Sequence, residues 1–363
     1  MIIFVILHPI ITKFKKMRKI LLIVFMAMMG ISAHAQGITL QNQEEEDSTI
    51  AVIGYFCKND SMTFKRTQGK EKIVANDTTI MNEITEEFMV VVTDSTSAGY
   101  KMELIPLSCK VEGKTKDQQT LMASILWRDI KDLRCRFTTD EYGTVQHIEN
   151  WREIRDVLKK SYATVLDSVY AATPALDSVM PLNQFKNLLL LGCSSEDGIK
   201  EQYDELEQLF GYHGLEFTME PVESDDVSDM GYPTHSKTES FYSTKEDEYD
   251  FDGDYVIRNN TVTTLSAEDT KDLLTTTFSV LFTGEVRDSV NKYTENAMKE
   301  GMTVTNIKQS CYFYNGWPKL LQSLTEINIG NMAKRIEYDT IEWTTRRWGV
   351  YHFPEEEEKG KDL

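Results

Sequence analysis

Residues 100–111 read YKMELIPLSCKV, and this stretch decides the class of fold. Tyr100, Met102 and Leu104 alternate with Lys101 and Glu103. Because successive side chains of a β-strand point to opposite faces of a sheet, the alternation puts the apolar residues on one face. The stretch therefore predicts a strand of an antiparallel sheet that buries this face.

Further segments share the strand composition of β-branched and aromatic residues bounded by Asn, Asp, Ser and Gly. A hairpin is predicted over residues 134–148, with its turn at Gly143. The other predicted strands are residues 50–58, 61–67, 87–93, 215–222, 255–264, 302–314, 320–329 and 335–343. Residues 223–254 follow the fourth of these as an acidic, polar stretch.

The apolar period changes to three or four residues between the two groups of strands. Trp151, Ile154, Leu158 and Tyr162 lie on one face of a predicted helix that begins at the candidate N-cap Asn150. Further helices are predicted over residues 117–129, 182–192, 196–210 and 266 to about 299, the last with Ser266 as its cap.

This order of elements predicts an α+β fold, with antiparallel β-meander sheets packed with helices. It leaves open a duplication into two related halves, residues 49–212 and 213–353. Residues 36–48 are predicted to be a disordered leader and residues 354–363 a charged tail.

The N-terminus has the three parts of a secretory signal peptide. Two basic residues at 18–19 precede the apolar run 20–29, and Ala33 and Ala35 form the cleavage signal before Gln36. The apolar run is shorter than the ~20 residues that a membrane-spanning helix needs. We therefore expect cleavage between Ala35 and Gln36, and a mature chain with no membrane span.

Met17 is the expected start of the signal peptide, so residues 1–16 would lie upstream of it. The alternative keeps residues 1–16 and makes the region an uncleaved anchor. Gln36 is not a cysteine, so the cleaved chain could not carry the lipid of a bacterial lipoprotein. Export to the periplasm or the cell exterior is the predicted localisation.

The formal net charge of −19 repels phosphate backbones and anionic membrane surfaces. Nucleic acid and anionic membranes are therefore not expected partners. The hydrophobic content of 41% is that of a folded chain rather than a disordered one. None of the five cysteines has CxxC spacing, and Cys109–Cys135 is one plausible disulfide beside the alternative of buried free thiols.

The sequence lacks the motifs of the common catalytic sites. It has no HExxH pair, no GxSxG elbow and no glycine-rich phosphate loop. No catalytic or cofactor-binding residue is therefore predicted, and a non-enzymatic protein is favoured. A hydrolase with paired carboxylates remains the alternative, because the spacing of such a pair in the sequence is not fixed.

Residues 248–255, EYDFDGDY, have acids spaced like the start of a calcium-binding loop. Asp250, Asp252 and Asp254 are the candidate ligands, and a calcium-stabilised surface module is a second alternative function. Position 12 of such a loop is Asn259 rather than glutamate, which favours a tight turn at Gly253 with its acids in water.

Aromatic residues also gather in this stretch, at Tyr242, Tyr249, Phe251 and Tyr255. They could form a sugar-binding platform, although aromatic residues that alternate along a half-buried strand give the same pattern.

The triplet of Asp, then Ser or Thr, then a small apolar residue or Thr recurs eight times. It resembles the O-glycosylation acceptor of exported proteins from Bacteroidota-type Gram-negative bacteria. Ser61, Thr78 and Ser95 are the preferred candidates, since their aspartates are predicted to lie in strand connections.

The signal ending SAHAQ resembles those of exported, uncharacterised proteins of the same bacteria. The order of strands and helices also resembles the half-barrel of LolA-like periplasmic carriers. These resemblances and the lack of catalytic motifs imply a soluble, exported protein with a binding role, one version being a carrier of an apolar ligand between sheet and helix. They name no ligand or protein partner.

Overall fold

The computed structural model describes most of the chain after residue 48. The described residues are 49–74, 77–113, 127, 129–172, 174, 177, 181–228, 231–243, 253–281, 301–329 and 333–349.

Eleven strands form one antiparallel sheet, in the spatial order β6-β5-β4-β3-β2-β13-β12-β11-β10-β9-β8. Neighbours in this order are also neighbours in the chain, except where β13 pairs with β2. The sheet therefore consists of two meanders, β2–β6 and β8–β13, which join at one seam. Its strands are β2 (Ser61–Val74), β3 (Asp77–Thr96), β4 (Gly99–Gly113), β5 (Cys135–Thr139), β6 (Val145–Ile148), β8 (Val222–Val227), β9 (Pro233–Tyr242), β10 (Tyr255–Leu265), β11 (Met302–Tyr312), β12 (Pro318–Ile329) and β13 (Ala333–Arg347).

The described residues also form five helices: α1 (Trp151–Ala172), α2 (Leu182–Leu191), α3 (Glu196–Lys200), α4 (Asp204–Phe210) and α5 (Ala267–Leu281). α1 and α4 pack on the face of the sheet that carries Phe64 and Val90. α5 packs on the same face through Leu273, which joins Leu265 and Val304. We call this face the covered face.

A short pair of strands caps one end of the sheet. β1 (Thr49–Ala51) pairs with β7 (Glu216–Thr218). The chain next to each strand, residues 52–56 and 210–215, is joined by backbone hydrogen bonds between Val52 and Leu215 and between Gly214 and Val52. We call residues 49–56 and 210–218 the end cap.

The α+β class predicted from the sequence is wrong, because the fold is dominated by one large antiparallel sheet. The main reason is that apolar alternation, the signal from which strands are predicted, is absent from some strands of the sheet. β8 and β9 lie within the acidic stretch 223–254, where β8 reads VESDDV. β2, β3 and β4 are also longer than predicted. Strands of both proposed halves belong to this sheet, and the division at residue 212 stays a prediction.

Several elements are confirmed. The hairpin of β5 and β6 turns at Gly143, which has a φ of +102° that glycine adopts without strain. α1 begins where predicted, and Ser266 caps α5 in a reciprocal pair of bonds with Asp269. The helix predicted over 196–210 is two helices, α3 and α4, separated at residues 201–203. The one predicted over 117–129 lies almost wholly outside the described residues.

No helix of the described part of the chain is both long and apolar enough to cross a membrane.

Candidate functional site

All five exposed aromatic side chains of the described residues lie at one end of the sheet, beside the end cap. They are Tyr55, Tyr142, Tyr242, Tyr314 and Trp348, which are between 41% and 63% exposed. We call them the aromatic patch. They come from five segments far apart in the sequence, so the fold gathers them.

Backbone hydrogen bonds fix three of these segments to one another. Gly54 N donates to Tyr142 O at 2.7 Å, which ties the β5–β6 turn to the end cap. Tyr55 N donates to Asn315 O at 2.9 Å, which ties the end cap to the β11–β12 turn. Tyr55, Tyr142 and Tyr314 are therefore carried on loops that support one another.

Tyr242 and Trp348 are placed by stacking and by strand pairing. Tyr242 ends β9 opposite Tyr255, and Tyr255 stacks on Tyr312 with ring centroids 5.3 Å apart. Burial raises the pKa of Tyr255, and the neighbouring hydroxyls of Tyr242 and Tyr55 raise it further. Tyr242 and Tyr55 therefore both lie close to Tyr255.

Trp348 stacks on Phe313 at 5.4 Å with an angle of 21° between the rings. The Arg346 guanidinium lies 5.0 Å from the centroid of Trp343 and 5.9 Å from that of Trp348. A cation over an aromatic face holds the ring as well as the charge. The patch therefore combines exposed rings with a fixed positive group.

His213 of the end cap lies beneath the patch. Its Nε2 is 3.0 Å from Gly316 O, and a β-carbon at Gly143 would lie 2.7 Å from its ring. One imidazole thus contacts both the β5–β6 and β11–β12 turns, which belong to different meanders. Burial lowers the pKa of His213 to about 4, and the hydrogen bond with the Gly316 carbonyl offsets only part of this lowering. The ring is therefore neutral at pH 7, and Nε2 donates to the carbonyl.

The predicted metal ligands are placed only in part. Asp250 and Asp252 lie outside the described residues, as do Tyr249 and Phe251 of the predicted aromatic cluster. Asp254 is buried and accepts hydrogen bonds from Lys319 Nζ at 2.6 Å and from Tyr314 N at 3.2 Å. Burial raises its pKa even against Lys319. Its carboxylate therefore anchors the β11–β12 turn.

Ser61, Thr78 and Ser95, the predicted glycosylation sites, lie in strands β2 and β3. The aspartate before Ser95 lies within β3, so the prediction that it lies in a strand connection is wrong. Asp60, before Ser61, is buried and accepts bonds from Cys57 N and Gly349 N. Modification at these residues stays a prediction, and so does signal cleavage between Ala35 and Gln36, which lie outside the described residues.

None of the five cysteines, all of which the structure describes, forms a disulfide, so the plausible Cys109–Cys135 bridge is not made. Strand register explains this result, because Cys135 pairs with Leu104, five residues from Cys109 along β4.

A buried charge cluster crosses the seam between the two meanders. The Arg66 guanidinium of β2 is fully buried and binds Asp204 of α4 through two bonds of 2.7 Å. It also binds Asp339 of β13 and lies 2.9 Å from Glu205. Burial alone would lower the pKa of Arg66, but Asp204 and Asp339 outweigh it and hold that pKa well above its usual range.

The hydrolase alternative needs a pair of acids, one of which is protonated at working pH. In this cluster Asp204 and Asp339 both accept hydrogen bonds from one guanidinium, that of Arg66. The cluster therefore joins β2, α4 and β13 through charge-assisted hydrogen bonds.

A cavity of about 60 Å³ lies beside this cluster, lined by residues that include Phe88, Leu104, Trp127 and Leu133. Pockets for drug-sized ligands are typically about 300–1,000 Å³. This cavity is therefore too small for a lipid.

No family model matches the sequence, and no curated protein does. One solved structure that matches describes lipid–protein interactions in lipovitellin, with a TM-score of 0.37 and 8% identity over 82% of this chain and 26% of that one. The chain thus spans about a quarter of the length of that protein. A likeness of this size carries no argument about function.

Proposed function

We propose that the chain is a binding protein that recognises a carbohydrate with the aromatic patch. The observation that carries the proposal is the gathering of all exposed aromatic side chains of the described residues at one end of the sheet. Isolated exposed hydrophobic residues need no explanation, whereas a contiguous group marks a binding surface. Export, predicted from the N-terminus, would bring such a surface to extracellular glycans.

The chemistry of the patch favours a sugar. An aromatic face is electronegative, so it attracts the polarised C–H groups on the face of a sugar ring. The Tyr hydroxyls and the Arg346 guanidinium supply hydrogen bonds to the sugar's hydroxyl groups. Tyr and Trp also lose little conformational entropy on binding, and loops on a rigid sheet hold them in place.

The test is calorimetric titration with maltoheptaose, cellohexaose and chitohexaose, together with the quenching of Trp fluorescence. A binding oligosaccharide is expected to lose about tenfold in affinity in a Tyr55→Ser/Tyr314→Ser variant, since each ring contact contributes roughly 0.5–1.5 kcal/mol. Leu191→Ser is the matched control, because Leu191 is 69% exposed on α2 and should leave affinity unchanged. The proposal fails if none of the three sugars binds or if the double variant binds as well as the wild type.

The second candidate is the carrier of an apolar ligand that the element order predicts, and its ligand would have to bind outside the cavity of about 60 Å³. It requires that the protein purified from its native source retain lipid extractable with organic solvent. A clean extract, with no thermal shift on adding oleate, would remove it.

A further inference from the structure

The covered face carries a band of polar residues where apolar ones are expected. A sheet face under helices normally presents hydrophobic side chains. This band crosses β9–β12, and we call it the polar floor. Its residues are Thr238, Asn259, Asn306, Lys308, Ser323 and Thr325. Strand pairing places Thr238, Asn259, Lys308 and Ser323 in one row across four strands.

Strand alternation assigns the polar floor to the covered face. Lys308 has the same parity along β11 as Val304, which packs against α5, and as the buried Ser310. Lys308 itself is exposed. The floor therefore opens to solvent between the part of the sheet under α5 and the part under α4.

Hydrogen bonds within the floor fix four of its five neutral side chains. Asn259 Nδ2 donates to Thr238 Oγ1 at 2.9 Å, and Thr325 Oγ1 donates to Asn306 Oδ1 at 2.9 Å. The floor is thus ordered before any ligand arrives, which reduces the entropy cost of binding.

Lys308 is the positive group of the floor, and the residues paired with it are neutral. Asn259 and Ser323 lie opposite it on the two neighbouring strands. It forms no ion pair within the described part of the chain. Asp339, the next residue of the row beyond Ser323, is already bound by Arg66, Gln68 and Gln208. The Lys308 charge is therefore available to an anion.

We infer that the polar floor is a second binding site, which takes a small hydroxylated molecule bearing an oxyanion, either a carboxylate or a phosphate. The oxyanion binds Lys308, and Asn, Ser and Thr side chains bind the hydroxyl groups. The site differs in place and in chemistry from the aromatic patch. Because the one charged group of this ordered floor is a lysine, the site selects for an anion by local charge.

The experiment is calorimetric titration with glucuronate, glucose 6-phosphate and glucose, which share their ring and differ in charge. At least one anion should bind ten times more tightly than glucose, and the stronger of the two identifies the preferred oxyanion. Lys308→Gln should abolish this preference, and Asn259→Asp should weaken it because the new carboxylate pairs with Lys308. Lys160→Gln, at an exposed lysine of α1, should leave it unchanged. The Tyr55→Ser/Tyr314→Ser variant should also bind the anion normally.

The inference is overturned if neither anion binds at 10 mM, if glucose binds equally well, or if Lys308→Gln binds the anion as tightly as the wild type.

Discussion

His213 is a buried imidazole whose protonation the fold opposes. Its folded pKa is about 4, against about 6.5 in an unfolded chain, because burial disfavours the charged form. Between these values the unfolded chain binds a proton that the folded chain does not. The contribution of His213 to the free energy of unfolding is therefore fully present above pH 6.5. It falls by about 3 kcal/mol as the pH drops towards 4.

The prediction is that His213→Gln flattens this part of the pH dependence, because glutamine keeps a donor for Gly316 O without titrating. Urea unfolding at several pH values between 4 and 7.5 measures the slope. A variant whose stability falls as steeply as that of the wild type would show that other groups cause the acid sensitivity.

Arg66, in contrast to His213, is buried in its charged form, and its charge compensates those of the neighbouring carboxylates. Arg66→Met would leave Asp204, Glu205 and Asp339 close together without a counter-charge. Removing one partner of a buried ion pair costs about 3–5 kcal/mol. Arg258→Met is the control, because Arg258 is exposed. It contacts Glu239 at 3.8 Å and donates to Gln309 Oε1 at 2.8 Å, and an exposed ion pair is worth at most about 1 kcal/mol. Equal losses in the two variants, from chemical denaturation, would contradict this assignment.

At the scale of elements, the seam between β2 and β13 depends on a glycine. A β-carbon at Gly69 would lie 2.1 Å from the Tyr338 ring, whose hydroxyl donates to Glu83 at 2.8 Å. Gly69→Ala should therefore cost about 1–3 kcal/mol of unfolding free energy through overpacking. In a Tyr338→Ala background most of this cost should disappear, and a double-mutant cycle measures the coupling. Additive losses would mean that the ring does not restrict residue 69.

The elements that the sequence predicts well are those with a clear period. α1 has regular apolar spacing, and the β5–β6 hairpin has its glycine turn. β8 and β9 have no such period, because their side chains are polar on both faces and β8 is an exposed edge strand. The acids that suggest a solvated connection in the sequence also protect this edge from pairing with another chain.

The two proposed binding surfaces could not be predicted from the sequence for a different reason. Tyr55, Tyr142 and Trp348 lie far apart in the sequence, and the turns and the end cap bring them together. The predicted cluster at 242–255 supplied one exposed member, Tyr242, while Tyr255 is buried. Lys308 likewise looks like an ordinary strand lysine until strand register places it among neutral polar residues.

At the scale of the whole molecule, the seam joins the two meanders into one sheet. β13 and β2 pair through 13 residues, and the Arg66–Asp339 pair lies on the covered side of the same seam. A chain that ended at residue 212 would lose β13, expose β2 as a sheet edge and leave Arg66 without Asp339.

We therefore predict that residues 49–212 and 213–353 expressed separately do not fold, and that the whole chain unfolds in one transition. Far-ultraviolet circular dichroism and Trp fluorescence should give coincident urea curves. Two resolved transitions, or a folded half, would show instead that the division predicted at residue 212 is a true domain boundary and that the seam is only an interface between domains.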